Sequence, residues 1–385
     1  MARKLRIGVA GLGRGFTVML PTLTHDSRVS LVAAADVRPD ARSRFAADFG
    51  GNTYDTVEAL CADPAVEIVY VATPHQFHAE HAVLAARAGK HLLVEKSMAL
   101  SIAECTAMIE AARKANVQLV VGHSHSFDKP IERARHLIER GGFGAVRMIA
   151  ALNYTDFVYR PRRPEELDAA RGGGVIFSQA AHQVDIVRLL AGARARSVRA
   201  ITGGWDSERP MDGAYAALLM FESGIPATLT YSGYGHFDSD EWQDWIGEMG
   251  QKKEPRARER QVFSTAIEEA DYKQSRNYGG ASYQPTSGLP QAHQNFGTII
   301  VSCDRADLRP MPNGVMIYKK GVGKLDPLPP PSIPRTEVID ELYDAVVKGT
   351  QPTHCGERAM ATLEICLAMQ RSSRDGREIA LERQS

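Results

Sequence analysis

Residues 5–10 are a short apolar run without alternation, and it enters a turn with glycines at Gly11, Gly13 and Gly15. A strand buried on both faces reads this way, and glycines directly after it let the chain turn tightly into a helix. Similar apolar runs recur at 29–35, 66–72, 91–94 and 117–121, with helical patterns at 39–48, 76–88 and 101–115 between them. Pro39 suits a first helical turn, Gly89 a helix end, and Ser101 with Glu104 forms a capping box. Strict strand–helix alternation over about 120 residues predicts a parallel, doubly wound α/β sheet.

Ligands collect at the C-terminal ends of the strands in such sheets. The polar residues at those ends form one set: the glycine turn, Asp36, the Thr73-Pro74-His75 segment, Glu95 with Lys96, and Gly122 with His123 and His125. Asp36 lies 23 residues after Gly13, close to the spacing of a carboxylate that bonds an adenosine ribose. A Rossmann-type dinucleotide site follows, with NAD preferred because a 2′-phosphate would meet like charge. Arg38 softens that exclusion and leaves NADP possible. Phe16 stands where the fingerprint GxGxxG has its third glycine. The cofactor-binding candidates are Gly11, Leu12, Gly13, Arg14, Gly15, Phe16, Asp36, Arg38, Thr73, Pro74, His75, His78, Glu95 and Lys96.

Beyond Phe127 the pattern changes. A helix is predicted over 130–140, a half-solvated strand over 147–157, a basic proline-punctuated loop from Tyr159 to Glu166, and a long helix over 175–191. Strand-like runs follow at 197–205, 214–221, 227–234, 242–249, 297–302 and 315–318, and helices at 335–348 and 358–370. Helices do not alternate with these strands, so an α+β domain with a large, mainly antiparallel open sheet is expected. The division is 1–125 for the dinucleotide domain and 126–385 for the second, with 335–372 as its closing helices. Residues 251–295 are polar and Gly/Pro-bearing, either a lid-like insertion or a stretch without order.

Lys96 leaves a buried strand at the ligand edge, where an ammonium can stabilise a substrate hydroxyl or alkoxide. His182 shares a helical face with Ser178 and Asp185, and an imidazole can take a hydroxyl proton near neutral pH. These two are the catalytic candidates. Arg160, Arg162 and Arg163 have the chemistry to grip a carboxylate, or to form a solvated basic loop. His75, His78 and His81 turn away from one another around a helix, so no metal site is expected. His123 and His125 alternate on an extended segment, so only one of them should face the site.

Lys plus Arg equals Asp plus Glu at 46 each in 385 residues, so no global field holds nucleic acid or an anionic membrane. Five cysteines without a CxxC pair fit a reducing compartment. There is no apolar run of membrane-spanning length and no leader-like segment, so the cytoplasm is the expected location.

The glycine turn, Thr73-Pro74 with His78, Glu95-Lys96 and the stretch from Gly172 to Asp185 together resemble the Gfo/Idh/MocA oxidoreductases. The resemblance implies NAD(P)-dependent oxidation or reduction of a ring hydroxyl or carbonyl, and a homo-oligomer, dimer or tetramer, formed through the second-domain sheet. The family's EKP lysine corresponds to Lys96 and the histidine of its DxGxH helix to His182. Here Ser97 replaces the proline, Ser178 the aspartate and Ala180 the glycine. Residues 159–168 and 177–188 look like the branch that includes phthalate cis-dihydrodiol dehydrogenases, which oxidise a carboxylated cyclohexadiene cis-diol to a catechol. In that setting His123, Arg160, Arg162, Arg163, Ser178, Gln179 and His182 are the substrate-binding candidates. Two rival readings remain, a sugar or inositol dehydrogenase with Gln179 or His123 in place of the aspartate, and a nucleotide-binding regulator without catalysis.

Overall fold

The computed structural model describes residues 3–255, 261–285 and 290–384. The first layer contains β1 (Leu5–Ala10), α1 (Arg14–His25), β2 (Val29–Ala35), α2 (Pro39–Phe49), β3 (Asn52–Tyr54), α3 (Val57–Ala62), β4 (Ile68–Val71), α4 (His78–Arg87), β5 (His91–Val94), α5 (Ile102–Ala115) and β6 (Leu119–Val121). Its six strands are all parallel, in the order β3-β2-β1-β4-β5-β6. Helices cover both faces, so Ile7, Val9, Val69, Leu92 and Val94 are fully buried, which is why these strands read as unbroken apolar runs. The order reverses between β1 and β4, the crevice where such sheets take ligands. The expected α/β Rossmann layer is present.

The second layer begins with α6 (Lys129–Glu139), β7 (Val146–Tyr154), α7 (Ala181–Ala191), β8 (Ala195–Gly203), β9 (Ala214–Phe221) and β10 (Pro226–Ser232). It continues with α8 (Ala266–Ser275), β11 (Thr298–Cys303), β12 (Asp307–Met311), β13 (Gly314–Lys319), β14 (Val322–Pro327), α9 (Thr336–Lys348), α10 (Gly356–Asp375) and β15 (Ile379–Ala380). Nine strands form one sheet, ordered β14-β13-β12-β11-β7-β10-β9-β8-β15. Only the β7–β10 pair is parallel. The large, mainly antiparallel sheet therefore stands as expected. Its inner face, with Ile149, Leu219 and Leu229, packs on α7 through Val184, Val187 and Leu190.

Three local expectations need correction. Residues 242–249 are not a strand. A 3-10 turn (Ser239–Gln243) is followed by Asp244 and Trp245 at positive φ (56° and 59°), which breaks any extended run. The 175–191 helix opens with a π-helical segment, Ile176–Ala180, before α7 proper. Strands β12, β14 and β15 were not anticipated: Arg309 and Pro310 interrupt the apolar pattern of β12, β14 is an edge strand with Lys324 and Asp326, and β15 is only two residues long.

Part of the expected 251–295 insertion, namely 256–260 and 286–289, lies outside the described residues. The rest includes α8 and reaches back to the first layer. Tyr278 is fully buried, edge-on to Phe16 at 5.1 Å, and its hydroxyl donates to Asp48 at 2.7 Å. Helix α9 likewise returns to the first layer, burying Val338, Ile339 and Leu342 in one cluster with Leu5, Phe16 and Tyr70. Among the described residues no helix is long and apolar enough to cross a membrane.

Candidate active site

The glycine turn is shaped by close approach. Gly11 holds φ +92°, and a Cβ there would lie 2.9 Å from the Ala72 carbonyl. At Gly13 a Cβ would meet nothing within 4 Å, so its face is open to the crevice. Gly13 caps α1 without a side-chain hydrogen bond, and no acidic residue stands in the first turn. The N–H groups and positive end of that helix are thus available to a phosphate. Asp36, at the end of β2, accepts from Leu12 N at 2.7 Å and Arg38 N at 2.8 Å. The Arg38 guanidinium is engaged with Asp36 (3.1 Å), with the Leu12 carbonyl (2.8 Å) and with the Tyr278 carbonyl (3.1 Å). This set fits a dinucleotide: α1 would hold the pyrophosphate and Asp36 the adenosine ribose. The Phe16 side chain is fully buried against Phe45 and Tyr278, so only its backbone faces the turn.

His78 is a structural tether. Its ring nitrogens lie 2.9 Å from the Ser97 carbonyl and 2.8 Å from the Thr73 carbonyl, which pins the loop after β5 to the loop after β4. Thr73 Oγ1 is 3.1 Å from His81 Nδ1. His75 sits edge-on to His78, 5.4 Å between centroids, and burial drives its pKa down to about 3. Glu95 accepts from the Tyr70 hydroxyl, and burial raises its carboxyl above the ordinary value.

Lys96 and Ser97 carry the first layer to the second. Lys96 Nζ donates to the Ser178 carbonyl at 2.8 Å, and Ser97 Oγ to the Phe177 carbonyl at 2.6 Å. Both acceptors belong to the π-helical turn ahead of α7, where backbone carbonyls are freed from the regular i→i−4 ladder. The Ser178 hydroxyl turns back to donate to the Gly174 carbonyl. Burial lowers the Lys96 pKa; Glu95 and Glu248 oppose that, and Arg335 and Arg162 reinforce it.

His182, buried at the second position of α7, packs against His125 (4.7 Å) and Phe296 (4.9 Å). Burial first, then Lys96, His125 and other cations, hold it well below its ordinary pKa, so it is neutral. Its Nδ1 accepts the His125 backbone N–H at 3.4 Å. A nitrogen that accepts carries no proton, so the neutral ring presents Nε2–H. Gln179 is buried in the same turn.

His123 and His125 do not diverge as expected; both reach Asp128, because the 3-10 turn His125–Phe127 folds the segment back on itself. His123 Nε2 is 3.1 Å and His125 Nδ1 2.7 Å from the two Asp128 oxygens. These three residues hold their possible metal-ligating atoms within 4.8 Å of one another; each imidazole already hydrogen-bonds the carboxylate. His125 Nε2 also faces Glu248 at 3.5 Å. Burial would lower His125, but Asp128 and Glu248 outweigh it and raise its pKa.

Of the three arginines only Arg160 reaches this cluster, with Nη1 at 3.7 Å from Glu248 and Nε at 3.0 Å from Asp156. Arg162 lies over the Phe157 ring at 3.7 Å and donates to the Phe157 carbonyl. Arg163 pairs with Glu165 (3.3 Å) and Glu166 (3.5 Å). The structure adds groups that the sequence reading missed: Asp128, Glu248 and Arg335. Asp128 was within reach, three residues after His125; Glu248 lay in a supposed strand, and nothing local marks Arg335.

Comparisons with known proteins give the family of the chain. The Gfo/Idh/MocA oxidoreductase family, NAD-binding Rossmann fold, matches residues 5–123, and the GFO/IDH/MocA C-terminal domain matches residues 131–251. A curated relative from Comamonas testosteroni, 1-carboxy-3-chloro-3,4-dihydroxycyclohexa-1,5-diene dehydrogenase, is 46% identical over 376 residues, covering 95% of this chain and 94% of the relative. Myo-inositol 2-dehydrogenase of Thermotoga maritima is 30% identical over 50% of this chain and 57% of its own. A solved structure from Bordetella bronchiseptica RB50, described as a dehydrogenase, superposes with a TM-score of 0.91 at 38% identity, covering 98% of this chain and 100% of that one. The WlbA dehydrogenase of Bordetella pertussis, solved with NADH and UDP-GlcNAcA, shares the fold at TM-score 0.69 and 22% identity, covering 99% of each chain. The chain belongs to the Gfo/Idh/MocA family of NAD(P)-dependent oxidoreductases.

Proposed function

We propose that this dehydrogenase oxidises a carboxylated cyclic cis-dihydrodiol to a catechol in the cytoplasm, with residues 1–125 holding NAD and 126–385 holding the substrate. The observation that carries the reading is the 46% identity, along nearly the whole chain, to a relative named for a carboxylated dihydroxycyclohexadiene. The inositol-type relative matches only half of the chain. Free cysteines at all five positions fit a reducing compartment.

The chemistry that a bound nicotinamide would supply is acceptance of the hydride from the carbinol carbon. Lys96 and His182 then divide the work at the hydroxyl. His182 as oriented offers Nε2–H, a donor for the oxygen as it becomes a carbonyl. Without an aspartate at position 178, no acceptor holds a proton on Nδ1. The proton therefore goes to Lys96, whose desolvation favours the neutral amine. The sequence expectation gave the acid–base role to His182; the acceptor state of its Nδ1 favours the exchange. The product enone tautomerises to an aromatic ring, which lowers the demand on base strength.

The outer face of the nine-stranded sheet supports a homo-oligomer. Thr298, Leu152, Thr230, Ala216 and Ile201 form one cross-strand row, and Ile300, Ala150, Thr228 and Leu218 the next. Ile201, Leu218, Ile300 and Met148 are exposed on it, a contiguous apolar surface of the kind that marks an interface.

A panel of diols monitored at the NADH band should show turnover of carboxylated cis-dihydrodiols and none of inositols; the reverse preference refutes the substrate reading. Lys96→Ala should abolish turnover with NADH binding intact, and His182→Leu should lose about 10²–10³-fold in kcat. His182→Gln, which keeps an N–H donor, should retain more activity than the leucine variant; equal loss in both would return the base to His182. Asp36→Ala should raise KM for NAD about 10–100-fold, and an unchanged KM would remove Asp36 from the ribose site. By light scattering, Leu218→Glu should dissociate the oligomer, whereas a wild-type monomer would rule out that face.

A further inference from the structure

Arg335 stands immediately before α9 with φ 53°, a left-handed conformation that glycine takes at no steric cost and other residues rarely adopt. Its guanidinium is half-buried. The hydrogen bonds it makes go to neutral partners: Nε to Gln294 Oε1 at 3.0 Å and Nη2 to Met249 Sδ at 3.3 Å. Nearby cations are differently placed. Arg160 is paired with Asp156 and approaches Glu248, and Glu248 is further held by His125. Arg335 forms no such pair among the described residues, yet it borders the same 248–249 segment. A partly desolvated guanidinium with no carboxylate in hydrogen-bond contact keeps its fork open to an anion, and that planar fork matches a carboxylate in two-point contact.

The position selects the kind of anion. The carboxylates acting most strongly on Arg335 are Glu95, Asp128 and Glu248, which mark the ends of β5 and β6 and the Lys96 side of the crevice. Cofactor phosphates belong at the α1 N-terminus and the adenosine at Asp36; Arg14, the first residue of α1, already lies in the field of Arg335, so NADH affinity is the readout that separates a carboxylate anchor from a phosphate contact.

We infer that Arg335, with Arg160 bordering the same 248–249 segment, is the anchor for the substrate's ring carboxylate and fixes which ring hydroxyl meets Lys96 and His182. The inference rests on the dihydrodiol reading above. Of the arginine run expected to grip this carboxylate, Arg160 remains and Arg335 takes the place of Arg162 and Arg163.

The test uses Arg335→Met and Arg335→Lys in the NADH-loaded and turning-over enzyme, with benzoate as a probe for the carboxylate site. Arg335→Met should raise KM for the carboxylated diol, and the inhibition constant of benzoate, by about 10–100-fold. At a pH above the Lys96 ionisation, which Arg335 helps to lower, it should leave kcat within a few-fold and the NADH dissociation constant unchanged. At that pH turnover of an uncarboxylated cis-diol should change far less than that of the diol acid. Arg335→Lys, which keeps the charge but not the fork, should fall between, and it carries the test if the methionine variant does not fold. Benzoate inhibition that ignores Arg335, or NADH affinity lost in parallel, overturns the inference. A wild-type enzyme inert toward every diol acid refutes the functional reading instead, and benzoate binding then decides Arg335 alone.

Discussion

The hydrogen bond from Lys96 Nζ to the Ser178 carbonyl joins the two layers at the floor of the crevice. It ends β5 in a buried cation and fixes that cation to the π-helical turn that opens α7. The neighbouring bond from Ser97 to Phe177 doubles the link. The groups around it are buried or half-buried, and their polar atoms bond to one another. His182 stays neutral, Glu95 leans on Tyr70, and the imidazoles of His123 and His125 share Asp128.

That link also explains how the serine at position 178 is tolerated. With an aspartate there, a second carboxylate would face Lys96 and favour its charged form. With serine, the side chain bonds back to Gly174 and the backbone carbonyl alone meets the ammonium. Desolvation then dominates, and Lys96 loses its proton more readily. A substrate whose oxidation ends in an aromatic ring suits a site with a weaker base.

The first layer was legible because its signals are local. Unbroken apolar runs, a capping box at Ser101 and Glu104, and the interval from Gly13 to Asp36 each report on one turn or one strand. Lys96 and His182 were legible from their neighbours in sequence. Glu248 was not, since the alternation from Trp242 to Met249 imitates a strand and only the positive φ at Asp244 and Trp245 reveals the loop. Arg335 was invisible for another reason. It comes to the site because α9 returns to the first layer's core through Val338, Ile339 and Leu342, a packing choice settled far from the residue itself.

The pH dependence of kcat/KM for diol oxidation tests the central claim, that desolvated Lys96 is the group that takes the proton. A base must be unprotonated to act, so the rate should rise with pH through one ionisation that lies below the ordinary lysine value of 10.5, because burial lowers it. Lys96→Ala should abolish that limb together with activity. A profile already flat from pH 7 upward, with its only limb at or below the ordinary histidine value of 6.5, would contradict the account and place the base on His182.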